Sequence, residues 1–312
     1  MSRSTVTIAP EKAFPAEPSR AFIVGNLLAC SFFWGCSFLF IKLMNGEVAP
    51  LAVAAGRGLF GAGTLALWVI WLGQKPWPRR HELRHWLVLG TTNGWVPNVL
   101  VAYALTQLAS GPAAIQAAGP LVTAVFAHVL FAEERLSGRR IVGVLLGMAG
   151  VALLIGPRLV EGGGTALGVL AMAGVTLGYA IGNLYTRAVP APAGDPARLA
   201  LGQQMVSGLA ALGLTLAFLG PSALVPIQNH VPAMLALGLA ATAVPMAIFM
   251  KLIRRAGPTR AAMTGYLVPA VATIMVVLVL DERLELRQAI GGCIVLAGVY
   301  LVSTSRMGRG AA

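Results

Sequence analysis

The side chains of this sequence that can hold a small polar molecule sit inside long apolar runs. The amides Asn98, Gln116 and Asn183 each carry a donor and an acceptor, so each can bind a carboxylate or an ammonium group without taking charge into lipid. The aromatics Trp34, Trp95, Tyr179 and Tyr266 suit an apolar or cationic part of a ligand. These residues recur at helical spacing with polar or kink-forming neighbours: Ser31, Trp34 and Phe38; Thr91, Trp95 and Asn98; Gln116, Pro120 and Thr123; Thr176, Tyr179 and Asn183. Two further faces join Thr242 and Pro245 or Met246 with Phe249, and Tyr266 with Pro269 and Thr273. Asn93 lies well round its helix from Asn98 and is expected to face a neighbour. Such faces either line a substrate cavity or bond one helix to the next, and spacing alone leaves both uses open.

Charge inside these runs is rarer. Lys42 stands near the outer end of its run, where a lysine reaches the interface. Arg57 lies deeper and needs a polar partner, for which Glu47 and a substrate carboxylate are the two candidates. His128 is either a hydrogen-bonded residue or a proton relay. Glu133, Glu134, Asp281 and Glu282 flank turns beside arginines and read as turn locks. Cys30, Cys36 and Cys293 have no metal-ligand spacing, and His81 and His85 share a spacing of four with only Glu82 beside them. The expectation is no catalytic residue, no metal and no cofactor.

The elements that must position these groups follow from composition. Of 312 residues, 57% are hydrophobic and 11% charged, against about 25% charged in a soluble domain. Ten apolar runs, 21–43, 50–72, 86–108, 112–132, 140–157, 165–187, 199–220, 232–252, 259–280 and 287–304, are near the length of a transmembrane helix. They are too long and too uniformly apolar for barrel strands, so an all-α integral membrane fold of ten transmembrane helices is expected. The net charge of +12 forms no contiguous cationic face, which argues against nucleic acid. With both termini inside, 18 of the 23 lysines and arginines fall on the cytoplasmic side. Residues 1–20 read as a disordered cytoplasmic tail and 305–312 as a second short tail.

The chain also repeats itself. Glu134-Arg135-Leu136 returns 148 positions later as Glu282-Arg283-Leu284, and the same offset relates Arg139 to Arg287, Gly143 to Gly291, and Ala149-Gly150-Val151 to Ala297-Gly298-Val299. Two five-helix halves result, 21–157 and 158–304, and an odd number of spans turns the second upside down relative to the first. Pro97 and Pro245 are 148 apart, and Pro120 and Pro269 are 149 apart. Matched helix breaks in two inverted halves point to a substrate site near the bilayer midplane, although proline also serves as an ordinary packing kink. Gly174, Gly178 and Gly182, like Gly143 and Gly147, are spaced for close helix approach.

Trp34-Gly35-Cys36-Ser37-Phe38 with Lys42, Arg57 in the second run, Gly111-Pro112, Pro120, and two Glu-Arg-Leu turns before Gly-rich final helices resemble the drug/metabolite transporter superfamily. The likeness is to its ten-helix type with two EamA-like halves, and it covers about residues 21–304. It implies a small-molecule carrier of the inner membrane, often an exporter of amino acids or related metabolites, with a central cavity. The partners it implies are the substrate and the bilayer, in a monomer or a homodimer joined through the fourth-to-fifth and ninth-to-tenth hairpins. A multidrug or cation exporter of the same fold, and a membrane enzyme acting on a lipid-linked substrate, are the alternatives. No acidic residue lies near the centre of a run, so exchange driven by the substrate's own gradient is expected. Transport in proteoliposomes should persist when a pH gradient is abolished; its collapse would show proton coupling.

Overall fold

The computed structural model describes residues 18–44, 46–107, 118–155, 165–190, 193–280 and 285–305. Among them every regular element is helical. The first half holds α1 (Arg20–Leu43), α2 (Pro50–Trp71), α3 (Arg80–Gly90), α4 (Val96–Gln107), α5 (Gly119–Leu130) and α6 (Gly138–Ile155). The second holds α7 (Ala166–Ala188), α8 (Pro196–Phe218), α9 (Val231–Gly238), α10 (Val244–Ala256), α11 (Pro258–Ala262), α12 (Thr264–Leu280) and α13 (Leu286–Ser303). Seven helical stretches among the described residues are long and apolar enough to cross a membrane. Four of the expected runs are not single α-helices: 86–108 is divided between α3 and α4, 232–252 between α9 and α10, 259–280 between α11 and α12, and 112–132 is described from residue 118.

Two of the breaks have the same cause. A proline inside a helix lacks an N–H and its ring collides with the carbonyl four residues back. Just before Pro97 the helix kinks within a π-type segment, Thr91–Trp95, where Gly94 leaves helical geometry (φ −120°, ψ −107°), and just before Pro245 it widens into a regular π segment, Leu239–Ala243. These segments are 148 positions apart at both ends, the offset of the sequence repeat. A π turn inserts a residue into the helical register, which relieves the clash and turns the residues after it to a different face.

The helix pairing has a matching order. α6 lies along α13 and α2 along α8. α1 packs on α12 as α7 packs on α5, α4 on α7 as α10 on α1, and α3 on α8 as α9 on α2. Exchanging the halves turns each pairing into another. Glycine makes the closest approaches. A Cβ on Gly143 would stand 2.8 Å from the Gly298 carbonyl oxygen, and one on Gly150 would stand 2.8 Å from that of Gly291. Those four residues are 148-offset partners taken crosswise, and the contacts run antiparallel. Membrane helices gain little from excluding water from one another, so such backbone approach is a main source of cohesion. Gly174, Gly178 and Gly182 likewise meet Leu100, the Thr92 carbonyl and the Asn93 side chain.

Two buried ion pairs strap the helix ends. Glu82 takes both a 2.5 Å bond from Arg198 Nε and a 2.6 Å bond from its terminal nitrogen, and accepts from the Arg79 N–H at 2.9 Å. Arg198 also holds the Lys75 and Trp77 carbonyls, tying the loop before α3 to α8. Burial alone would raise the Glu82 pKa, but the Arg198 and Arg79 bonds and charges outweigh it and hold the carboxyl below its ordinary range. Glu134 locks its turn as expected, 3.2 Å from Arg140 and against Gly257, whose φ of 90° leaves room for the carboxylate where a Cβ would stand. Here burial wins and raises the pKa, against the pull of Arg140, Thr259, Arg260 and Arg187. Asp281 and Glu282 lie outside the described residues.

Gly150→Val should overpack the α6–α13 contact and cost about 1–3 kcal/mol, whereas Gly63→Ala, with nothing within 4 Å of its Cβ, should leave the melting temperature in detergent unchanged. Glu82→Gln should cost about 3–5 kcal/mol by leaving Arg198 buried without its counter-charge. The lowered Glu82 pKa contributes stability above the ordinary glutamate pKa, lost as pH falls through the lowered value. Glu134 has the opposite sign, its raised pKa favouring the folded state at low pH and less as pH rises through that value, so Glu134→Gln should cost less than Glu82→Gln. Melting curves of both variants from about pH 4 to 8 check this.

Candidate substrate site

Several polar side chains of the apolar helices lie around the two π segments. Pro97 cannot donate to the carbonyl of Asn93, four residues back, and Gln203 Nε2 from α8 donates to that oxygen instead, at 3.4 Å. The same Nε2 lies 3.4 Å from Met246 Sδ on α10. Gly94 lets the segment press on α8, since a Cβ there would stand 2.6 Å from Ser207 Cβ. The Asn93 side chain lies over Gly182 and donates to Asn183 Oδ1 on α7 at 3.5 Å. In the other half, the Thr242 hydroxyl donates to the Leu237 carbonyl at 2.8 Å and accepts from Arg57 Nε at 3.3 Å. Tyr179 on α7 lies close enough to Arg57 for a direct electrostatic interaction.

Arg57 therefore finds Thr242, not Glu47, which pairs with His230 at 2.9 Å. Among the described residues no carboxylate meets Arg57, and its two terminal nitrogens donate to no protein acceptor. Two acceptors close by are also without partners: Asn93 Oδ1 and Gln203 Oε1 are buried and receive no hydrogen bond.

The residues expected from the sequence divide between this cluster and other places. Tyr179, Asn183 and Arg57 belong to it, and Pro97 and Pro245 create the segments it is built on. Trp95 is in the first segment and donates to Thr91 Oγ1 at 3.2 Å. Asn98 is half-buried on α4 and makes no side-chain hydrogen bond among the described residues. Trp34 meets Phe249 edge-on at 5.0 Å in the core between α1 and α10. Tyr266 is elsewhere, fully buried in the core with its ring over Gly147. Pro269 is inside α12, and Pro120, near the start of α5, touches Gly265. His128 is exposed at the end of α5, where Nδ1 accepts from the Leu136 N–H at 3.1 Å and closes the hairpin. Gln116 and the side chains of Phe38 and Lys42 lie outside the described residues.

Sequence reasoning missed Gln203 and gave Asn93 only a neighbour-facing role. Gln203 carries no spacing signal of its own. Its task is set by the carbonyl that Pro97 leaves open, and that carbonyl belongs to Asn93. The cluster presents one cation, amide and hydroxyl groups, and free acceptors, groups whose chemistry complements an ionic or zwitterionic solute.

Comparison with known proteins places the chain in a family. The EamA-like transporter family matches residues 21–156 and again residues 166–304. An uncharacterized transporter of Archaeoglobus fulgidus is 28% identical over 88% of this chain and 94% of its own. A protein of Escherichia coli K12 named "Probable amino-acid metabolite efflux pump" is 24% identical over 86% of this chain and 90% of its own. One solved crystal structure shares the fold with a TM-score of 0.74, at 18% identity, over 91% of this chain and 98% of that one. The two family matches and the apolar helices make the chain a multi-pass membrane protein of the EamA-like transporter family, within the drug/metabolite transporter superfamily.

Proposed function

We propose that the chain is a secondary transporter of the inner membrane that exports an amino acid or a related small metabolite by alternating access. In this reading ten spans form two five-helix halves of inverted topology, with both termini cytoplasmic and the substrate held where the halves meet. The observation that carries the reading is the pair of π segments at matched positions, with Arg57, Asn93, Asn183, Gln203 and Thr242 gathered on them. The crosswise contacts of Gly143 with Gly298 and Gly150 with Gly291 support antiparallel halves. Broken helices carry polar backbone at membrane depth only where protein or a watered cavity satisfies it, which favours this region as the substrate site. The name of the Escherichia coli relative supports the substrate class. The terminal nitrogens of Arg57, which donate to no acceptor among the described residues, favour a carboxylate-bearing solute over the cationic drugs of a multidrug exporter.

Reconstituted protein should exchange labelled amino acids in counterflow. Asn183→Ala and Tyr179→Ala should each lower that exchange by about tenfold, the scale of a lost hydrogen bond in a buried site, while the amount of folded protein stays level. Loss of protein without loss of exchange per molecule would return both residues to a packing role.

A further inference from the structure

The two halves differ at one chemically decisive point. Packing fixes which residues of α2 and α8 correspond. Gly94 approaches Ser207 as Thr242 approaches Gly61, and Gly90 approaches Val206 as Gly238 approaches Phe60. Gly94 to Thr242 and Gly90 to Gly238 are steps of 148, while Gly61 to Ser207 and Phe60 to Val206 are steps of 146. The helix starts agree, with Pro50 and Pro196 each the first residue of its helix. At the step of 146, Arg57 corresponds to Gln203. Each reaches across to the π segment of the other half, Arg57 to Thr242 and Gln203 to the Asn93 carbonyl.

The site is thus polarised. On the α2 side stands a guanidinium with unused donors. On the α8 side stand Gln203 Oε1 and Asn93 Oδ1, buried acceptors that need donors. We infer that Arg57 and Gln203 are a specificity-determining pair that orients the solute, its carboxylate on Arg57 and its N–H groups toward the amide oxygens of Gln203 and Asn93. This rests on the amino-acid reading above and adds to it which side binds which group. It also makes the choice of charged group depend on one residue of each half, so the cation should be movable between the two positions.

The test uses purified full-length protein in proteoliposomes with leucine, leucinamide, 3-methylbutylamine and 4-methylpentanoate as competitors of labelled leucine. The wild type should prefer leucine to each compound lacking one group. Arg57→Gln should weaken leucine and 4-methylpentanoate by about 10- to 100-fold, the range for a charge-assisted bond, and leave leucinamide and 3-methylbutylamine unchanged. Arg57→Lys should keep the carboxylate preference. Arg57→Gln combined with Gln203→Arg should restore it, and because this double variant alters two buried positions, the Arg57→Gln and Arg57→Lys comparison decides the matter where it fails to fold. An Arg57→Gln protein that discriminates among the four compounds like the wild type overturns the inference and leaves the transport reading standing. A wild type that binds none of the four overturns the amino-acid reading, and the inference with it.

Discussion

A backbone carbonyl that loses its donor in the middle of a membrane has no water to turn to, and much of this protein is arranged around that fact. Pro97 removes the donor owed to Asn93, and the chain answers with a widened turn and with Gln203 from another helix. Gln203 can reach only because Gly94 lets α8 press against the break, and Gly182 leaves space for the Asn93 side chain. One missing N–H thus recruits α7 and α8 to a single place and brings amides there. Pro245 follows a π segment at the matching place in the second half, where Thr242 bridges Leu237 to Arg57.

Of the two straps at the helix ends, Arg198–Glu82 is the shorter, at 2.5 and 2.6 Å, and Arg140–Glu134 is 3.2 Å. The cluster's bonds from one helix to another are long: 3.3 Å from Arg57 to Thr242, 3.4 Å from Gln203 to Asn93, and 3.5 Å from Asn93 to Asn183. Bonds at the long end of the range are weaker, so breaking them costs little. The glycine seams bring backbones together in pairs, and the straps tie loops to helices, while the polar groups between them keep unused capacity.

The membrane class, the helical content and the offset of the repeat were legible in the sequence because apolar length and duplicated residues are one-dimensional signals. Pro97 and Pro245 announced the breaks for the same reason. What could not be read was the face each residue presents after a break. A straight-helix register groups Thr91, Trp95 and Asn98, but the π turn lies between them, and it is Asn93 that meets Asn183. Tyr266 looked like a ligand-binding aromatic by spacing with Pro269, yet its ring lies over Gly147, a partner more than a hundred residues away that no local periodicity could supply.

Arg57 shows how a duplicated architecture acquires direction. Equivalent residues in two related halves would give a ligand two equivalent ways to lie, and a zwitterion would gain nothing from choosing between them. An arginine opposite a glutamine removes that degeneracy with one side chain, because a guanidinium only donates whereas an amide both donates and accepts. The arginine is placed on α2, a helix that keeps its regular hydrogen bonding, and not on either widened segment. A charge on an intact helix is held by regular backbone bonding, which suits the alternating-access reading proposed above.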